Sequence, residues 1–86
     1  MHEFSLMADL VRKIDKVAVD QNADRVVAVK VRVGALAHIT ASHFREHFVH
    51  AMKGTKAEAA RLDVEVSEDQ NDPHAQDILL QSIEVS

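Results

Sequence analysis

Arg25-Val26-Val27-Ala28-Val29-Lys30-Val31-Arg32-Val33-Gly34-Ala35-Leu36 is the stretch on which the fold turns. Val27, Val29, Val31 and Val33 share one parity, while Ala28, Lys30 and Arg32 share the other. Side chains on a strand alternate between its two faces, so the spacing predicts a half-buried strand over 25–36 with its valines turned toward helices. Gly34 ends the alternation and permits a bulge or a turn. Upstream, Leu6, Met7, Leu10, Val11, Ile14, Val17 and Ala18 fall in one arc at about 100° per residue, with Asp9, Arg12, Lys13, Lys16 and Asp20 opposite. An amphipathic helix over 6–20 follows, with Ser5 as its expected N-cap and Gln21 to Asp24 as a turn.

Downstream, Thr40 is placed to cap a second helix over 41–53, and Ile39 and Phe44 have the spacing of a hydrophobic staple. Ala41, Phe44, Phe48, Ala51 and Met52 form its apolar stripe, and Gly54 stands where a left-handed C-terminal residue belongs. Leu62, Val64 and Val66 alternate with Asp63 and Glu65, which predicts a second strand over 62–67. The last apolar run, 78–85, changes parity between Leu80 and Ile83, so a bulge is expected near Gln81-Ser82. The fold class is therefore α+β: a small three-stranded sheet with two helices packed on one face, in the order α-β-α-β-β. Its expected core is Leu10, Ile14, Val17, Val27, Val29, Val31, Phe44 and Phe48.

Eighty-six residues suit one domain, 1–86, with a small core. The absence of cysteine excludes disulfides, thiolate metal sites and cysteine nucleophiles together. No apolar run reaches the roughly 18 residues that span a membrane and no signal peptide opens the chain, so a cytoplasmic protein with no membrane association is expected. The net charge of -4 is unevenly spread: all ten basic residues precede Leu62, whereas residues 62–86 carry seven acids and no base. The bases of the first part alternate with acids, and neither Tyr nor Trp is present for stacking, so nucleic acid is not an expected partner.

Six histidines carry the available chemistry: His2, His38, His43, His47, His50 and His74. His43, His47 and His50 lie at i, i+4 and i+7 of the second helix, so His43 and His47 can share a metal ion as a secondary site. Glu46 directly precedes His47, so the spacing of a zinc hydrolase helix fails. No Ser/His/Asp grouping stands out, and two glycines cannot build a nucleotide cradle; no enzymatic role is expected. The opening Met1-His2-Glu3 is different. There the terminal amine, the His2 amide nitrogen and the His2 imidazole can close fused chelate rings, with Glu3 adding an amide or a carboxylate. Such a nitrogen-rich square-planar set suits Ni(II) or Cu(II) rather than tetrahedral zinc. Met1 should be retained, because methionine aminopeptidases need a small second residue.

Met1-His2-Glu3-Phe4-Ser5-Leu6 opening an amphipathic helix resembles the hydrogenase nickel-incorporation family HypA/HybF, whose members open MHE-x-S-L. The strand Val29 to Leu36 with its Val33-Gly34-Ala35-Leu36 ending, the segment Gly54-Thr55 with Ala57-Glu58 and Leu62, and the closing Leu80 to Val85 are similar to further pieces of that family in the same order. The resemblance implies nickel bound at Met1, His2 and Glu3. It also implies delivery to a nickel enzyme, the large-subunit precursor of a nickel–iron hydrogenase, with a GTPase of the HypB type as partner. Family members carry a zinc module of two CxxC pairs between the last two strands. Here Ser67 to Asp77 occupies that place, so the resemblance implies the nickel-binding domain with its zinc module replaced by loop 67–77, and no zinc is expected. His74 in that loop is a further candidate ligand. Open sheet edges lead to an expected homodimer. The alternative reading is a zinc-less paralogue that acts as an adaptor without delivering metal.

Overall fold

The computed structural model describes the backbone of residues 2–86 and the side chains of residues 7–86. The elements are α1 (His2–Asp20), β1 (Val26–Val33), α2 (Ala41–Ala51), β2 (Arg61–Val66) and β3 (Ile78–Val85). The order is the predicted one. Helix α1 begins a turn earlier than the apolar arc suggests, so Ser5 lies inside the helix and cannot be its N-cap, and position two is the first helical residue. Thr40 does cap α2: its backbone is extended and its hydroxyl accepts from the His43 amide at 3.1 Å. Gly54 takes the left-handed conformation at φ +79°, which a side chain would resist.

The sheet order is β2-β1-β3, with β1 parallel to β2 and antiparallel to β3. The central position of β1 explains its valines, since a strand paired on both edges and covered by two helices must be apolar on its inner face. Val29, Val31 and Val33 are fully buried and pack with Leu10, Ile14, Phe44, Phe48 and Met52.

Two expectations about the core need correction. Val27 is 37% exposed, while Val26 is buried at 2%. The cause is a bulge: Val26 pairs with Val85 and Ala28 with Glu84, so Val27 is the extra residue on β1 and the parity changes there. Val17 is only half-buried, at the flank of α1. The bulge predicted near Gln81 is present, because Lys30 pairs with Ser82 and Val31 with Leu80, leaving Gln81 over.

The face of the sheet away from the helices is charged. Lys30 stands opposite Asp63 and Arg32 opposite Glu65 in the parallel register, so this face is suited to water. Loop 67–77 passes from β2 across the end of β1 to β3. It lies close against Gly34, where an added Cβ would come within 2.2 Å of the Ala75 carbonyl oxygen. Gly34 N donates to Asp77 O, Leu36 N to Ala75 O and Ser67 N to Val33 O. Arg32 Nη2 adds a hydrogen bond to Ser67 Oγ at 3.2 Å and lies 3.9 Å from an Asp72 carboxylate oxygen. Among the described residues no helix is long and apolar enough to cross a membrane.

Candidate metal centre

Backbone hydrogen bonds fix the direction of both helices. The turn after α2 is tied to the end of α1 and the start of β1: Val26 N donates to Lys56 O at 2.9 Å, and Lys56 Nζ donates to Ala23 O at 2.8 Å. Val11, Ile14 and Ala18 of α1 line one groove with Met52 and Ala57. Both helices therefore end where β1 begins, and both begin where β1 ends. This places the first turn of α1, the first two turns of α2, the connection 34–40 and loop 67–77 at one end of the molecule. His2, His38, His43, His47 and His74 belong to those segments.

The side chains of the predicted terminal site, Met1, His2 and Glu3, lie outside the described residues. The backbone of His2 and Glu3 opens α1. The first four amides of a helix have no intrahelical acceptor, so those of His2 and Glu3 are not consumed by the helix. His74 is exposed in loop 67–77, with Nδ1 3.0 Å from Asp77 Oδ2 and its amide bonded to Asp72 Oδ1 at 2.9 Å. It faces Asp9, Leu10 and Lys13 of α1 across a cleft. His38 is exposed in a left-handed conformation, φ 59°. No sequence signal marks that conformation, which is uncommon for a residue other than glycine.

His43 and His47 are brought together. Their Nε2 atoms stand 3.0 Å apart and their ring centroids 4.6 Å, with the planes tilted by 40°. His43 is exposed and His47 half-buried, one turn along the same side of α2. Phe44 and Phe48 set that side by locking the helix into the core. Among the described residues no group of three or more His, Asp or Glu is placed to hold a metal ion.

The chain is a small α+β domain in which five histidines belong to segments at the end where its two helices begin. The family described as "Hydrogenase/urease nickel incorporation, metallochaperone, hypA" matches residues 1–72, and the chain belongs to this HypA family. The hydrogenase maturation factor HypA of Methylocella silvestris is 36% identical over 66 residues, 77% of this chain and 58% of that protein. Its counterpart in Archaeoglobus fulgidus is 38% identical over 66 residues, again 77% of this chain and 60% of the relative. The chain thus spans about three fifths of the length of these curated relatives. The solution structure of the Ni metallochaperone HypA from Helicobacter pylori superposes with a TM-score of 0.76 at 16% identity, covering 96% of each chain, and so shares the fold.

Proposed function

We propose that this protein is a nickel metallochaperone in which the Met1 amine, the His2 amide and imidazole, and Glu3 hold one Ni(II) ion as cargo. The observation that carries the reading is the place of Met1-His2-Glu3: the family match starts at residue 1 and the helix at residue 2. An amide nitrogen at the start of a helix can bind a metal without breaking a helical hydrogen bond. The recipient in this reading is the large-subunit precursor of a nickel–iron hydrogenase, and a GTPase of the HypB type takes part in the transfer. The protein works in the cytoplasm, without an enzymatic step and without resident zinc, loop 67–77 standing in place of the zinc module. It acts as a homodimer joined along an outer strand, β2 or β3, because the charged open face is better left in water.

Nickel titration of untagged protein tests the site. About one diamagnetic, nitrogen-coordinated Ni(II) per chain is expected at the tight site, and His2→Ala should remove it. The fold should survive, since alanine is the better helix former at that position. A few residues added before Met1 should also weaken binding by turning the amine into an amide. Protons compete for imidazole and amine, so affinity should fall below about pH 6–7. Unaltered tight binding in His2→Ala protein would overturn the proposal and leave the adaptor reading as the better one.

A further inference from the structure

We propose that His43 and His47 form a second divalent-cation site on α2, taking Ni(II) through their two Nε2 atoms. The inference does not depend on the terminal site. Two metal–imidazole bonds of about 2.0–2.1 Å, set at 90° to 109°, bring their nitrogens roughly 2.9–3.4 Å apart. The observed separation of 3.0 Å lies in that range. The rings are held close without a metal because one Nε2–H can donate to the other Nε2; a cation replaces that shared proton.

The site is built on the most firmly fixed part of α2. Thr40 holds the His43 amide at 3.1 Å, which pins the first turn. Phe44 and Phe48, 0% and 2% exposed, stop the helix from rotating about its axis. Placing two donors in advance removes much of the entropic cost of gathering them, which is why a helix-borne i, i+4 pair binds a metal that two scattered imidazoles would not. Imidazole ligands suit nickel, copper and zinc. The site shares its end of the molecule with the start of α1.

The test uses full-length, untagged, chelator-stripped protein titrated with Ni(II) alone, by calorimetry and by broadening of histidine ring resonances. In His2→Ala protein about one Ni(II) per chain should still bind, more weakly than at the terminus, and should broaden the His43 and His47 signals. Adding His43→Ala, or His47→Gln where loss of the half-buried ring harms the fold, should lower that affinity about tenfold or more. His50→Ala should leave it within about twofold. Circular dichroism confirms that each variant is folded. Binding in His2→Ala protein that is unchanged by His43→Ala and His47→Gln would overturn the proposal. So would loss of the tight terminal equivalent on replacing His43 alone in the otherwise unaltered chain, since the pair would then belong to one site with the terminus. Failure of the terminal site reads differently, as tight binding that survives His2→Ala.

Discussion

The two ends of this molecule are built to different rules. Where the helices finish, the chain is knitted to itself: the Ser86 carbonyl accepts from the Asp24 and Arg25 amides and its own amide donates to Arg25 O, Lys56 closes on Val26 and Ala23, and Ala18, Ala23, Met52 and Ala57 are buried. No histidine lies in residues 11–26 or 51–60. Where the helices start, the connections 34–40 and 67–77 meet through backbone bonds, and five histidines belong to the segments at that end. The knitted end supplies stability with backbone bonds and small apolar side chains. The other carries the histidines that the proposals assign as ligands, and ligands must stay reachable rather than packed away.

The contrast can be broken most forcefully at Met52, which is 1% exposed beside the knitted turn. Met52→Ala should cost about 2–5 kcal/mol in denaturant unfolding while leaving nickel stoichiometry unchanged in the protein that remains folded. A loss of metal in step with a modest loss of stability would show that the ends are not separable. Gly34→Ala addresses the other end. A Cβ there collides with the Ala75 backbone, so a cost of about 1–3 kcal/mol is expected. Displacement should be confined to loop 67–77 in amide chemical shifts, and shifts spread through α1 and α2 would contradict the separation. The smallest effect belongs to Val27→Ala, expected within about 0.5 kcal/mol because the bulge leaves Val27 outside the core. A cost near that of a buried valine would restore the uninterrupted valine face.

Much of this was legible in the residues, for local reasons. The 3.6-residue arc of α1, the Thr40 cap, the left-handed Gly54 and the bulge at Gln81 each rest on chemistry within a few positions. The bulge at Val27 was not legible, because no glycine or parity break marks it; Val26 and Val27 are equally apolar, and pairing with β3 decides which turns inward. The parallel pairing of β1 with β2 likewise depends on contacts between distant residues. The early start of α1 was not legible, because its apolar arc begins only at Leu6. At the candidate site, the i, i+4 spacing of His43 and His47 marked them as able to meet. That His38, His74 and the start of α1 share an end with them followed only from the strand order and the direction of the helices.

The two bulges between β1 and β3 have a consequence for how the chain tolerates editing. One places an extra residue on β1, at Val27, and the other an extra residue on β3, at Gln81, so the pairing offset introduced by the first is undone by the second. Deleting Val27 alone, or Gln81 alone, removes that one bulge and keeps the pairs on both sides of it, with the other bulge intact. Deleting both leaves Val26, Val29, Val31 and Val33 facing Val85, Ile83, Leu80 and Ile78 along an uninterrupted ladder, every second residue inward. Each extra residue can therefore be lost on its own without reversing a face, and a shortened relative of this chain need not have lost both together.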